Sequence, residues 1–318
     1  MRLLILGGTR FVGRHLVEAA LAAGHDLTLF NRGASAPDLF PGVESLRGDR
    51  AGDHAALRAG SWDAVVDVSG YRPESVRAAM AALRGRARKC VFVSTVSIYA
   101  AFQDGGDEAA AAWDPETATA EQAGPELYGP RKRACELALA SWDGPWCVAR
   151  PCVVAGPHDP TDRFTYWPVR LARGGRVLVP GAPAAFAQFV DARDLAAFLL
   201  LAAGGRAEGT FNVVGPPQPF PEFLDACAAP SAARSERAPA PDEFLLKAKV
   251  APYVELPLWI PGRTSPFDGS KAAEAGFRAR PTAETAADVL RWRAAGPLAA
   301  GLAPEREAAL LAELGARR

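Results

Sequence analysis

The run Arg2-Leu3-Leu4-Ile5-Leu6, followed at once by Gly7-Gly8-Thr9-Arg10-Phe11-Val12-Gly13, constrains this chain more than any other feature. A short apolar run has the length of a buried strand, and clustered glycines mark a sharp turn where side chains have no room. The stretch 11–23 then places Val12, Leu16, Ala19, Ala20 and Ala23 on one helical stripe, and Gly24 supplies a stop. Strand, glycine turn and helix in this order open a βαβ unit.

The first half of the chain repeats that pattern. Apolar runs at 26–30, 43–47, 64–68, 90–95 and 146–149 alternate with helical stretches. This predicts an α/β class fold, a Rossmann-type doubly wound parallel sheet covered on both faces. Beyond residue 150, Pro- and Gly-rich segments separate a helix at 194–203, a strand near 210–213 and helices near 285–292 and 304–314. The expected division is a dinucleotide-binding domain over 1–155, to which 186–215 returns, and a smaller substrate-binding lobe made of 156–185 and 216–318. Two segments lack periodicity. Residues 101–125 read as a long surface loop, a candidate lid before Tyr128, and 230–241 as a mobile Ala/Ser/Pro-rich connection.

Composition enters as exclusion. The 36 basic residues balance 36 acidic ones, so charge points to neither nucleic acid nor a membrane, and a small-molecule partner is expected. Gly7 and Gly8 cut the opening apolar run short of a signal-peptide core or a spanning helix. Cys90, Cys135, Cys147, Cys152 and Cys227 are odd in number and never spaced as a CxxC pair, which fits a reducing, cytoplasmic location. His15, His25, His54 and His158 form no HExxH spacing, so no metal site is expected.

A glycine turn between strand and helix presents backbone N–H groups to a pyrophosphate. Gly7, Thr9, Arg10, Phe11, Val12 and Gly13 are therefore expected around a dinucleotide. A P-loop is the sharper rival, since Gly8 and Gly13 have its spacing, but Arg14 and His15 stand where Lys and Ser/Thr belong. An NAD-binding second strand usually ends in an acid for the adenosine ribose, whereas this one ends in Asn31-Arg32. Arg32, with Arg10 on the turn, is expected to favour NADP over NAD, the alternative. Asp49 is a candidate adenine contact or a turn residue. Ser69 and Gly70 end the fourth strand, where a dinucleotide would cross.

Tyr128 and Lys132 lie four residues apart on one helical face, with Pro130 tolerable in the first turn. A free phenol has a pKa of about 10, and a neighbouring ammonium favours its ionised form. The strand before it ends in hydroxyls: Thr95 is the favoured contact to a substrate oxygen, with Ser94 and Ser97 as alternatives. The plainer reading is a packed ring, a solvated lysine and turn-capping hydroxyls. Downstream, His158, Asp159, Asp162, Arg163, Phe164, Tyr166, Trp167 and Arg170 form a dense aromatic and charged segment. His158, Arg163, Tyr166 and Arg170, with Ser97, are the expected substrate contacts to a sugar or nucleotide. The rings read equally well as the core face of an amphipathic helix.

GGTRFVG at the start, VSTVSIYA on the central strand, YGPRK on the next helix and ARPCVVAGP after it together resemble the extended short-chain dehydrogenase/reductases, the NAD-dependent epimerase/dehydratase family. The segment FVDARDLA, 189–196, resembles the part that returns to the sheet. The resemblance implies Tyr128 as catalytic acid or base, Lys132 holding the nicotinamide ribose and lowering the Tyr128 pKa, and Thr95 orienting the substrate. Arg10 departs from the middle glycine of many members, and the GGTRF form resembles a branch that includes plant chloroplast stem-loop-binding proteins. Family 4,6-dehydratases carry Asp-Glu after the threonine. Val96-Ser97 stands here, so the implied activity is an epimerase or reductase, acting as a homodimer through helices beginning near Glu74 and Tyr128. A nicotinamide-dependent regulatory or RNA-associated binding protein is the rival, and a serine hydrolase is set aside for want of a G-x-S-x-G elbow.

Overall fold

In the computed structural model the described residues are 1–117, 124–293 and 296–316. The chain begins β1 (Arg2–Leu6), α1 (Phe11–Ala22), β2 (Asp26–Asn31), β3 (Glu44–Arg47), β4 (Trp62–Asp67), α2 (Pro73–Leu83), β5 (Ala87–Val93), α3 (Tyr128–Ala138) and β6 (Trp146–Pro151). It continues through β7 (Val153–Ala155), α4 (Tyr166–Ala172), β8 (Gly175–Pro180), β9 (Phe186–Ala187), β10 (Phe189–Asp191), α5 (Ala192–Ala203) and β11 (Gly209–Val213). Then come β12 (Gln218–Pro219), α6 (Phe220–Ala228), β13 (Ser235–Ala240), α7 (Asp242–Lys247), α8 (Ser270–Glu274), α9 (Thr282–Trp292) and α10 (Pro304–Ala316).

Contacts divide the chain into two compact units. The first comprises 1–152, 192–214 and 267–278, and the second 153–191, 215–266 and 279–318. The sequence reading placed 186–191 with the first domain and 267–278 with the second lobe. In the structure β10 pairs with β7 in the second unit, while Phe267 stacks on Tyr99 with ring centroids 5.5 Å apart in the first.

The first unit holds a parallel sheet in the order β11-β6-β5-β4-β1-β2-β3, a Rossmann-type doubly wound arrangement. Leu3, Leu4, Ile5 and Leu6 are fully buried, as expected of a strand covered on both faces. On one face Val76, Ala79, Met80 and Leu83 of α2 and Cys135 and Ala138 of α3 pack on Leu4, Leu6, Val65, Cys90 and Phe92. The chain reverses direction across the sheet between β1 and β4. In open α/β sheets such a switch point leaves a crevice at the strands' carboxyl ends.

The second unit has a core of Phe164, Trp167, Phe220, Phe223 and Trp259 under three two-stranded pairings. The expected mobile connection at 230–241 is a correction: Ser235–Ala240 forms β13, in parallel register with Gly175–Pro180. Pro239 hides the strand from a sequence reading, yet it is exposed on a two-stranded edge where a missing N–H costs little. Of the expected lid, 118–123 lie outside the described residues, and the rest carries short 3₁₀ turns at Phe102–Asp104 and Pro115–Thr117. Among the described residues no helix is long and apolar enough to cross a membrane.

Candidate active site

The glycine turn follows β1 at the switch point. Gly7 and Gly8 have φ of +111° and +102°, where side chains are strained. A Cβ on Gly13 would lie 2.8 Å from the Gly8 nitrogen, so only glycine lets α1 seat this closely on the turn. Arg10 caps α1 with no side-chain hydrogen bond, and the first turn holds no acid. Its leading N–H groups and positive dipole end thus lack an internal anion, the condition for binding a phosphate. Phe11, at the first helical position, has φ +29°, a strained conformation that the turn imposes. The residues fit a dinucleotide diphosphate.

At the ends of β3 and β4 the structure adds residues that sequence reasoning missed. The Arg50 guanidinium donates to both oxygens of Asp67, and its Nη1 also donates to Ser69 Oγ at 2.9 Å. Ser69 Oγ in turn donates to the Leu6 carbonyl at 2.8 Å. This buried ion pair locks the loop after β3 to the switch point. The signal was present, because an acid inside the apolar run 64–68 has to be paired. Asp49 serves its own turn, its carboxylate accepting from the Ala51 N–H at 2.9 Å. Arg32 and Arg10 are exposed.

At the carboxyl end of β5, Thr95 is buried, and its Oγ1 accepts from the Ser97 N–H at 3.1 Å and bonds Ser97 Oγ at 3.2 Å. Thr95 thus caps a turn, and the less buried Ser97 hydroxyl is the outer member of the pair. Ser94 Oγ is buried without a partner among the described residues. The first turn of α3 docks here: a Cβ on Gly129 would stand 2.1 Å from the Ser97 carbonyl oxygen. Tyr128, the residue before Gly129 at the start of α3, is 41% exposed.

Lys132, one turn on, is only 3% exposed. Its Nζ donates to the carbonyls of Gly70 at 2.8 Å and Val93 at 2.6 Å, and lies 4.3 Å from the Phe92 ring centre. Burial pulls its pKa down to about 8, while Cys135, Asp67 and Glu136 oppose that shift. One further turn along, Glu136 makes a two-pronged ion pair with Arg150, at 2.9 and 2.8 Å. Arg150 also donates to the Tyr99 hydroxyl at 2.9 Å, and that hydroxyl donates to Asn212 Oδ1 at 2.6 Å. The network anchors α3 to β6 and β11, and so sets where Tyr128 and Lys132 stand.

In the second unit, two expected substrate contacts are corrected. Tyr166 is 2% exposed and packs edge-on against Trp167 in the core. Arg170 is committed to Glu307 at 2.6 Å and to the carbonyls of Gly174 and Arg176. The core-face reading therefore holds for Phe164 and Trp167, both fully buried. Arg163 lies over the Tyr253 ring at 4.5 Å, and His158 packs on Trp292 at 5.0 Å. A cavity of about 170 Å³ in this unit is lined by Phe186, Phe220, Trp259 and Arg263, among others, none of which showed in the sequence pattern.

Fold and sequence place this chain with known proteins. The model of the NAD dependent epimerase/dehydratase family matches residues 73–214. Among solved structures, UDP-N-acetylglucosamine 4-epimerase from Bacillus cereus superposes with a TM-score of 0.67 at 16% identity, over 93% of this chain and 99% of that one. The Bordetella bronchiseptica enzyme WbmH, solved in complex with NAD+, gives 0.66 at 18% identity, over 92% and 97%. Over residues 73–214 the chain is thus similar to the NAD dependent epimerase/dehydratase family, and over nearly its whole length it shares the fold of these solved structures. A curated relative, chloroplast stem-loop binding protein of 41 kDa b from Arabidopsis thaliana, is 26% identical over 249 residues. That match takes in 71% of this chain and 62% of the relative's length.

Proposed function

We propose that this protein is a nicotinamide-dinucleotide-dependent epimerase or reductase acting at a hydroxyl- or carbonyl-bearing carbon of a sugar or nucleotide sugar. The observation that carries this reading is the docking of α3 on the 95–97 turn, with Lys132 buried at the strand ends one turn from Tyr128. A nicotinamide ring supplies hydride acceptance and donation when bound. The turn 7–13 holds the diphosphate, and Asn31, Arg32 and Arg10 face the adenosine end, where they favour the phosphorylated dinucleotide.

Lys132 has three N–H donors, two of which are on carbonyls, leaving one for a ribose hydroxyl. Its charge favours the ionised Tyr128 phenol, which takes or returns the proton of the substrate hydroxyl. Ser97 and Thr95 hydrogen-bond the same oxygen. Val96-Ser97 brings no second acid or base, so the chemistry stops at redox or inversion through a ketone, without elimination of water. The structural neighbours, among them a UDP-N-acetylglucosamine 4-epimerase and an enzyme in complex with NAD+, support this class. Dimerisation through α2 and α3 and a reducing, cytoplasmic setting complete the proposal. Light scattering tests the first.

Turnover is assayed by epimer formation from UDP-sugars and by reduced-dinucleotide consumption with a carbonyl panel. Tyr128→Phe is expected to lower kcat by about 10²- to 10⁴-fold while leaving dinucleotide affinity intact. Unchanged turnover in that variant, or no dinucleotide binding by the wild type, ends the proposal. The Arabidopsis relative's name favours a second reading, an RNA-associated binding protein. Shift of a stem-loop RNA at physiological salt, with no turnover in the panel, is the result that selects it.

A further inference from the structure

Two strand ends meet at β2 and β3, where Asn31 and Arg47 are register partners in the parallel pair. Arg47 Nη1 donates to Asn31 Oδ1 at 2.8 Å, and the Gly33 N–H donates to the same oxygen at 2.8 Å. An amide oxygen has two acceptor lone pairs, so this one is fully used, and the Asn31 side chain has only its NH₂ donors to offer. The Arg47 guanidinium lies against Gly33: a Cβ there would stand 2.3 Å from Nη1 and 2.8 Å from Cζ. Gly33, at φ +72°, is the residue type that admits both the turn and the arginine. Arg47 is thus an exposed cation held in place from two sides. Neither Arg47 nor its neighbour Arg32 is ion-paired among the described residues.

A ribose diol can accept from these donors, but its own O–H groups need an acceptor, and Asn31 has none left. A ribose phosphate accepts hydrogen bonds and carries about two negative charges. It meets the Asn31 NH₂ and two guanidinium groups, which match phosphate oxygens in planar forks. We infer that Arg47, positioned by Asn31 and Gly33, is the residue that selects a 2′-phosphorylated adenosine, so that the preferred dinucleotide is NADP. This rests on the dinucleotide reading above and names its specificity determinant, a residue on β3 and not on the glycine turn.

The experiment is calorimetric binding of the full chain to NADP+, NAD+, 2′,5′-ADP and 5′-ADP, none of which requires turnover. Wild-type protein is expected to bind NADP+ and 2′,5′-ADP about ten- to a hundredfold more tightly than NAD+ and 5′-ADP. Arg47→Ala should remove most of that ratio and leave NAD+ affinity within about twofold, with Arg47→Lys intermediate. Asn31→Asp keeps the acceptor for Arg47 but adds a negative charge, and should reverse the preference. Circular dichroism on each variant confirms folding. Two results overturn the inference alone: NAD+ bound as tightly as NADP+ by the wild type, or Arg47→Ala weakening both dinucleotides equally. Failure of every nucleotide to bind overturns the proposed function with it.

Discussion

Each unit buries an ionisable side chain whose charged form burial disfavours, and the two are treated differently. In the first unit, two backbone carbonyls are aimed at Lys132. In the second, Asp159 is 2% exposed: one oxygen accepts twice from Thr161, and the other has no partner among the described residues. Burial raises its pKa to about 6, with Asp162 adding to the rise and Thr161 and Arg163 opposing it. The two groups titrate in opposite senses, one relieved in alkali and the other in acid. The contrast teaches that burial moves both groups toward neutrality, the carbonyls aimed at Lys132 notwithstanding, and that what differs is the pairing each keeps: two dipoles on the ammonium, one half of the carboxylate left without a partner.

The sharpest test of that contrast lies in the ion pairs that both units do satisfy, Glu136 with Arg150 and Arg170 with Glu307. Arg170→Met strands the buried Glu307 carboxylate and should cost about 3–5 kcal/mol in urea unfolding, and Arg150→Met, which leaves Glu136 with Arg133 alone, somewhat less. A loss under about 1 kcal/mol in either would break the view that these pairs are matched.

Next in size is the pH dependence of Lys132. Its folded pKa lies below the ordinary 10.5, so between about pH 8 and 10.5 the unfolded chain holds more protons and stability rises, by about 3 kcal/mol in all. Lys132→Met should flatten that alkaline limb. Asp159 works in the other direction and slightly more weakly. With a folded pKa of about 6 against 3.8, its contribution is present in acid and is lost as pH rises through that window, again about 3 kcal/mol. Asp159→Asn should remove the slope, and an unchanged acid limb would show that its carboxyl is better solvated than its burial implies.

The smallest effect concerns docking. Gly129→Ala pushes a methyl into the Ser97 carbonyl and should cost about 1–3 kcal/mol. It should also lower kcat more than it raises KM, because it shifts Tyr128 rather than opening the binding surface. Turnover that survives with that stability loss would separate α3 docking from the chemistry.

Much of the first unit was legible because its signals are local. Gly7, Gly8 and Gly13 mark a turn wherever they occur after a strand, and Tyr128 and Lys132 share a helical face by spacing alone. The second unit was less legible: Tyr166 and Arg170 look like ligand contacts in sequence and prove to be packing and a buried pair. Periodicity reports that a face is special, and it does not say whether protein or ligand covers it.

The sequence by itself determined the alternation of strands and helices, the glycine turn and the phenol-ammonium face, since each depends on neighbours within a few residues. Only the tertiary structure decided that Arg50 closes on Asp67, that Arg150 reaches Glu136 and Tyr99, and that Arg47 lies across Gly33 beside Asn31. These pairings join residues many positions apart, and they exist because the strand register of the parallel sheet brings the elements' ends together. No local pattern encodes that register, since it follows from burying both faces of the sheet at once.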